Sequence, residues 1–467
     1  MPVVDRNFLL KYDVRAPRYT SYPPATHFSA DYTCDMHREQ LIDSNVRGDK
    51  NISLYVHIPF CPVRCLYCGC NQEDLQGRDF VSVYVDTILL EIERVAAYID
   101  RDRRVTQVHW GGGTPNSIHP DFIEKIMLKL REQFSFPQPG SKEEQEIEIA
   151  MEIDPSIISL EKLERFRQLG FNRVSFGVQD FNLQVLEIVN RRPSKIPIPE
   201  LVAACRKMGY RGINLDFIYG LPGQMLENFA ETIDLAIASD PDRIVTFSYA
   251  HVPWVKNHQS DLEKYVIPSA DEKLEMFLMS LHKISHAGYA VIGMDHYAKF
   301  DDELSRAREN GKLHRNFQGY ASRETTGQVY AFGCSSISQL EYSYAQNVKT
   351  SREYVARMNE SEFAIEKGIV LTEQNYRDRA IITELMCNGK IDVNHIASIT
   401  GSTREQILNY FSELVPQLQS YVDDHLLKID LPDKIEVTKD GWLAVRSIAT
   451  HFDPLLKNDS NRYSKAL

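Results

Sequence analysis

The stretch Tyr55–Gln72 reads YVHIPFCPVRCLYCGCNQ, and the fold is read outward from it. Cys61, Cys65 and Cys68 stand at the spacing C-x3-C-x2-C, and Cys70 follows two residues on. The run Leu54 to Ile58 alternates and is rich in β-branched and aromatic residues, which predicts a strand. Pro59 stops that strand, since proline has no backbone N–H to give to a ladder. The cysteines therefore hang on a loop at a strand end, where function is usually carried.

Soft thiolates select zinc or iron–sulfur clusters. Structural zinc needs four ligands, usually on two separated knuckles, and the chain has no second Cys-x2-Cys. Cys34, Cys205, Cys334 and Cys387 are isolated and read as small buried apolar residues. Three close cysteines on one loop suit a cubane with one iron left open. Ordinary electron-transfer clusters use four protein ligands, and Cys70 could supply the fourth. Spacing alone leaves the open cluster, zinc, redox thiols and a four-ligand carrier all standing.

Composition narrows the setting. The 467 residues suffice for two or three domains and a large core. Hydrophobic content of 43% and charged content of 25% are those of an ordinary soluble globular protein. No apolar run is long enough to span a membrane, and the start MPVVDRNFLLKYDVRAPRY lacks the apolar core of a secretory signal. Half of the eight cysteines crowd between Cys61 and Cys70, which is not a disulfide framework. A reducing compartment, the cytoplasm, is expected. The net charge of −12 argues against general nucleic-acid binding, and it requires a local basic pocket for any anionic substrate.

Around the cysteine loop the chain falls into three parts. Residues 1–50 form an N-terminal arm. Its PRYTSYPPATHF, Pro17 to Phe28, cannot be a regular helix. It reads either as a surface arm packed by its tyrosines or as a segment across a site mouth. Residues 51–364 alternate strand and helix, through SLYVHI, TQVHW, EIEIAMEID, NRVSFGVQ, GINLDFIYGLP, RIVTFSYAHV and, as one later strand, YAVIGMDHYA. About six such units predict a parallel sheet in an α/β fold. Glycine-rich, polar or acidic residues fall at the strand C-ends, in GGGTP, EIDP, GVQD, NLDF, YAHVP and GMDH, where barrels and open sheets put their chemistry. The expected architecture is an incomplete parallel (β/α)6 barrel, with a doubly wound sheet as the alternative. Residues 365–467 read as short helices plus a hairpin around the turn LPD. This is a mostly helical C-terminal domain resembling a winged helix, with a packing or lid role.

The aromatic Tyr67 just before the last cysteine, together with GGGTP (Gly111–Pro115) on the next strand, resembles the radical S-adenosylmethionine superfamily. Within it, PRYTSYP, YVHIPFC, CGCN, HWGGGTP, EIDP, FNRVSFGVQDF, NLDFIYGLPGQ, GMDHYA, LHRNFQGY and YAQN are similar to the oxygen-independent coproporphyrinogen III oxidases over nearly the whole chain. The related heme-binding chaperones share the cluster loop and GGGTP. They usually lack the PRYTSYP lead-in and the cysteine after the last ligand, and both are present here.

The resemblance implies a 4Fe–4S cluster on Cys61, Cys65 and Cys68, with S-adenosylmethionine on the open iron as the source of a 5′-deoxyadenosyl radical. It implies coproporphyrinogen III as substrate, with two propionates decarboxylated to vinyl groups to give protoporphyrinogen IX. It also implies an electron donor, which the sequence does not identify; a monomer is expected, and the charge and the lack of an apolar span argue against a nucleic-acid or membrane partner. Tyr55 and Glu152 are implied as catalytic residues that contact the cofactor. Gly112, Gly113 and Thr114 would hold its methionine part. Gln179, Arg191 and Asp216 would bind a second S-adenosylmethionine, and Tyr67, Ala250 and Ile337 would line the adenosyl pockets. Cys70 is left out of the ligand set. Arg18, Arg192, His314 and Arg315 are the candidate cations for the substrate's carboxylates.

Overall fold

The computed structural model describes residues 11–138 and 140–456. The first ten residues of the expected arm and the last eleven of the expected C-terminal domain lie outside the described residues.

The strand before the cysteines, β1 (Asn51–Ile58), is the middle of a 12-stranded sheet. It is followed in sequence by β2 (Arg104–Gly112), β3 (Glu148–Ile153), β4 (Arg173–Gln179), β5 (Gly212–Tyr219) and β6 (Arg243–Ser248), each parallel to the last. Helices such as α1 (Arg78–Ala96) and α2 (Pro120–Gln133) return the chain on one side. The sheet curls into six strand–helix units without closing, the partial barrel expected.

The alternation in each strand follows from this arrangement. Ile52, Leu54, Val56 and Ile58 of β1, Val174, Phe176 and Val178 of β4, and Ile213, Leu215 and Phe217 of β5 are buried under the helices. Their neighbours Ser175, Gly177, Asn214 and Asp216 line the barrel interior, which is polar, and the Tyr55 ring stacks on His109 of its wall. An ion network crosses its floor. Arg173 contacts Glu148 at 2.8 Å and Glu303 at 3.0 Å, and Arg243 contacts Asp302 and Glu303 at 3.0 Å.

The sheet extends past the barrel on both sides. YAVIGMDHYA, expected as one strand, is instead a hairpin of β7 (Tyr289–Gly293) and β8 (His296–Lys299), with β8 antiparallel to β6. The reversal falls at Met294, whose φ of 51° is left-handed. On the other side β9 (Gln328–Phe332) lies parallel to β1, followed outward by β10 (Ile337–Gln339), β11 (Ser343–Asn347) and β12 (Ile365–Val370). The sheet thus runs on through 365–370, beyond the boundary at 364 expected from sequence.

Buried hydrogen bonds tie this flank to the cluster strand. Tyr84 of α1 donates to the His57 carbonyl at 2.9 Å and accepts from the Cys334 amide at 3.0 Å. The buried Glu91 accepts from Gly333 N, Asn347 Nδ2 and Tyr354 Oη. Its burial pushes the carboxyl up to about 7.

The C-terminal part packs helices 373–388, 393–400 and 404–414 with a three-stranded sheet whose hairpin joins Leu427–Asp430 to Lys434–Val437. GWLAVRSIATHF forms a short α-helix (Val445–Ala449) between two 3-10 turns. The arm adds side chains to this domain's core. Tyr12, Tyr19 and Tyr22 are buried with Ile381, Leu385, Phe411, Tyr421 and Phe452. Arg446 donates to the carbonyls of Pro17 and Ala16, and Tyr19 Oη to Asp453. Further on, Phe28 stacks on Tyr344, and Ser29 bridges to Gly368 of β12.

Candidate active site

The C-terminal ends of β1 to β6 open on a cavity of about 570 Å³ that reaches from the cysteine loop to the polar barrel interior. Cys61, Cys65 and Cys68 line it, with Gly112, Gly113 and Thr114 from the next strand end. The loop is shaped by its own backbone. The Cys68 amide donates to the Cys65 carbonyl at 3.2 Å, and Leu75 N and Glu73 N bond back to Cys61 O and Pro59 O. Thr114 Oγ1 lies 3.2 Å from Cys61 Sγ. The thiol of Cys70 hydrogen-bonds that of Cys68, which lowers Cys68 below its ordinary range. Among the described residues, no three His, Cys, Asp or Glu side chains converge as around a single ion. A cubane, with its irons at separate corners, takes cysteines standing further apart.

The glycines fit a ligand pressed against backbone. Gly112 has a φ of +120°, and a Cβ there would meet the His57 ring at 2.7 Å. A Cβ on Gly113 would lie 2.2 Å from Pro59 O and 3.0 Å from Cys61 Sγ, so only glycine lets these two strand ends meet beside the thiol.

The remaining expected residues divide by place. The Tyr55 hydroxyl lies 3.1 Å from His57 Nδ1, and its ring stacks on His109 at 6.1 Å. The second His57 nitrogen faces the Asn71 carbonyl at 3.1 Å, so it carries the proton and Tyr55 donates to Nδ1. Burial pushes His57 down to about 4, keeping it neutral. Glu152 reaches the cavity and meets His109 Nε2 at 3.3 Å.

Arg191 lies beside Cys65, with Nη1 3.9 Å from its sulfur. It pairs with Asp154 at 3.0 Å and donates to Gly177 O at 2.5 Å, while its Nε is buried without a partner. Gln179 sits at a bulge of the β4–β5 ladder with a φ of 72°. Asp216 accepts from Ser175 Oγ at 2.6 Å and Asn214 Nδ2 at 2.7 Å. Burial pushes its carboxyl up to about 6.

Tyr67 and Ala250 line the same cavity, and Tyr67 also packs beside Leu221, Tyr249 and Leu262. Ile337 does not reach that cavity. It sits on β10, packed beside Phe28 and Tyr344.

Several participants carry no motif. Asp154 is visible in EIDP only as an acid at a strand end. Lys256, His258 and Gln259 were not anticipated. They donate to the carbonyls of Cys70, Cys68 and Tyr67 at 2.8, 2.9 and 2.9 Å, so the segment after β6 clamps the cysteine loop.

The candidate substrate cations differ in standing. Arg18 pairs with Asp295 at 2.5 Å, and Asp295 bonds His296, which lines the cavity. Arg315 is buried over the Tyr320 ring and donates to Arg18 O, and its Nε is unpartnered. Burial pushes His314 down to about 3, so it is neutral and no cation. Arg192 is exposed next to Arg191.

The radical SAM superfamily matches residues 55–236. The chain is 37% identical to a Synechocystis protein named oxygen-independent coproporphyrinogen III oxidase, over 98% of this chain and 97% of that one. It is likewise 37% identical to the Escherichia coli protein of the same name, over 97% of this chain and 96% of that one. Among solved structures it is similar to coproporphyrinogen III oxidase (HemN) from Escherichia coli, described as a radical SAM enzyme. The TM-score is 0.88 at 36% identity, covering 97% of this chain and 100% of that one. Among the described residues no helix is long and apolar enough to cross a membrane.

Proposed function

The chain belongs to the oxygen-independent coproporphyrinogen III oxidases of the radical S-adenosylmethionine superfamily, and from that premise we propose which of its side chains carry the reaction. The enzyme decarboxylates two propionates of coproporphyrinogen III to vinyl groups, giving protoporphyrinogen IX in heme biosynthesis. It uses a 4Fe–4S cluster and S-adenosylmethionine. When bound, these supply a 5′-deoxyadenosyl radical able to take hydrogen from an unactivated propionate carbon.

Cys61, Cys65 and Cys68 would be the cluster's ligands. What carries this reading is the convergence of the cysteine loop and the Gly112–Gly113 backbone on one cavity wall. Thr114 and the glycine amides would hold the methionine part of the cofactor, and Glu152 would accept from its ammonium. Tyr55, fixed by His57, would hold its ring against the cofactor side of β1. Arg191, fixed by Asp154 and Gly177 O, turns toward Cys65 a guanidinium with an unused N–H. Its charge suits a carboxylate. Asp216, oriented by Ser175 and Asn214, suits ribose hydroxyls, and Gln179 stands on the strand between. This second set supports two S-adenosylmethionine molecules in one cavity, with Tyr67 and Ala250 beside the adenosyl groups. Ile337 would serve only by supporting β10.

For the substrate's carboxylates we assign Arg315, and Arg18 through its hold on Asp295 and His296. The enzyme would act as a monomer in the cytoplasm, where thiols stay reduced. The test is anaerobic incubation of reconstituted enzyme with coproporphyrinogen III, dithionite and S-adenosylmethionine. Protoporphyrinogen and 5′-deoxyadenosine should both form. Tight heme binding without conversion would refute the reading.

A further inference from the structure

Arg18 and Arg315 answer the substrate's carboxylates, but each pyrrole of a porphyrinogen also carries an N–H, a donor that needs an acceptor once it is buried. One side chain of the cavity has an acceptor to spare. His296 begins β8, where the β7–β8 ladder shifts register and turns the consecutive side chains His296 and Tyr297 to the cavity. Its Nδ1 stands 2.8 Å from Asp295 Oδ1. Its Nε2 has no hydrogen-bond partner among the described residues. Beside Nε2 lies Gly319, where a Cβ would stand 3.9 Å from the nitrogen, so no side chain shuts it off from that direction.

The surroundings fix both the ring and its proton. Asp295 is buried, and its other oxygen takes Arg18 at 2.5 Å, so both oxygens are engaged as acceptors. An acceptor at Nδ1 places the imidazole's proton there and leaves a lone pair on Nε2. The ring meets Phe247 and Tyr320 edge to face, with centroids at 5.9 and 5.0 Å, and both aromatics line the cavity. Burial lowers His296 against the pull of Asp295, and Arg315 and Arg18 push the same way as burial, so the ring stays neutral. A neutral acceptor is a poor partner for a carboxylate and a good one for an N–H. The cofactor's ammonium and ribose have Glu152 and Asp216, and β8 lies six strands along the sheet from the cysteine strand.

The bridging carbons of a porphyrinogen are saturated, so a pyrrole can tilt and turn its N–H out of the macrocycle toward an acceptor. A porphyrin is flat and aromatic, and its N–H groups point inward at neighbouring nitrogens. We propose that His296 Nε2 accepts a pyrrole N–H of coproporphyrinogen III and thereby selects the reduced macrocycle over the oxidised one. A site built to pair a substrate N–H discriminates strongly against a molecule that cannot offer it. Asp295 is the positioning residue that fixes the tautomer, and Arg18 fixes Asp295. The inference rests on the assignment of this cavity to the substrate.

The experiment measures KM for coproporphyrinogen III and the inhibition constant of coproporphyrin III, which carries the same carboxylates, on the reconstituted full chain under anaerobic conditions. His296→Phe should raise KM about tenfold, the cost of an unpaired buried donor, and leave the porphyrin constant within about twofold. His296→Gln keeps an acceptor and should recover most of the loss. Asp295→Asn should act like His296→Phe with the histidine still in place. Arg18 can only donate and claims the amide oxygen, so the asparagine N–H meets Nδ1 and the imidazole proton moves to Nε2. S-adenosylmethionine affinity, by isothermal titration, should stay within about twofold in all three variants. An unchanged KM in both His296→Phe and Asp295→Asn would overturn the proposal. A rise matched by the porphyrin constant would overturn it too, assigning His296 to the carboxylates or to packing. So would a parallel loss of S-adenosylmethionine affinity, which would make the histidine a cofactor contact. If wild type converted no coproporphyrinogen III, the failure would lie in the assignment of the cavity instead.

Discussion

Arg191 and Asp154 meet at 3.0 Å with both side chains nearly buried, and the pair stands against the sulfur of Cys65. Asp154 ends β3 and Arg191 follows the helix after β4, so the pair locks two strand ends around the cysteine loop. Removing one partner of a buried pair leaves an uncompensated charge, so Asp154→Asn should cost about 3 kcal/mol of stability. It should also weaken S-adenosylmethionine binding. Arg191→Lys keeps the charge but cannot span Asp154 and Gly177 O together. It should bind the cofactor about tenfold more weakly, while its melting temperature falls less than that of Asp154→Asn. Isothermal titration and thermal melts check both.

The cysteines should separate cleanly. Serine at Cys61, Cys65 or Cys68 should abolish the visible absorbance of the reconstituted cluster and cofactor cleavage. Cys70→Ser should keep its iron. A full cluster in Cys68→Ser, or iron loss in Cys70→Ser, would redraw the ligand set.

Two glycines of the site make a matched pair. A methyl at Gly113 would strike the backbone at Pro59 O, 2.2 Å away, whereas one at Gly69 would meet nothing within 4 Å. Gly113→Ala should therefore lower iron content by roughly tenfold, and Gly69→Ala should leave it unchanged. Iron and sulfide assays read the difference.

The cysteine loop, the glycine stretch and the six barrel strands were legible because each has a local signature: fixed spacing, residues without side chains, or alternation under a buried face. The hairpin at Met294 was not, because an apolar run through a tight reversal looks like one strand. Strands β9 to β12 were unread, being short and separated by irregular turns. Lys256, His258 and Gln259 were invisible for another reason. They act on main-chain carbonyls 186 to 192 positions away, and backbone acceptors leave no mark on a sequence.

Asp216 should give the cofactor site a pH signature. Burial raises its carboxyl to about 6, so below that value it is protonated and cannot accept from a ribose hydroxyl on both oxygens. S-adenosylmethionine affinity should rise as pH climbs through about 6 and level off above. Asp216→Asn should remove the inflection. A wild-type titration flat from pH 5 to 8 would exclude the role.

The Arg18–Asp295 pair should tie the arm to pH through a carboxyl shifted the other way. Burial works to raise the Asp295 carboxyl, but Arg18 and then His296 more than offset it and hold it below the usual range. A depressed carboxyl contributes stability above its unfolded value, and that contribution is lost as pH falls through the folded one. Arg18→Ala should thus cost about 1–3 kcal/mol of stability at neutral pH, read by thermal melts, given the partly exposed arginine. The gap from wild type should hold down to about pH 4 and close only below it, because Arg18 keeps Asp295 ionised through the usual carboxylate range.

The burial of Tyr12, Tyr19 and Tyr22 inside the C-terminal domain bears on how the protein is made. Arg446 grips the carbonyl of Pro17 from 429 positions away. A ribosome releases the barrel segments long before the residues that receive the arm. At about 5–20 residues per second, the arm's tyrosines wait some tens of seconds for the pocket that will hide them. Throughout synthesis they are a sticky leading end, open to chaperones. A transcript cut short within its last hundred codons would yield a barrel whose arm never finds its seat.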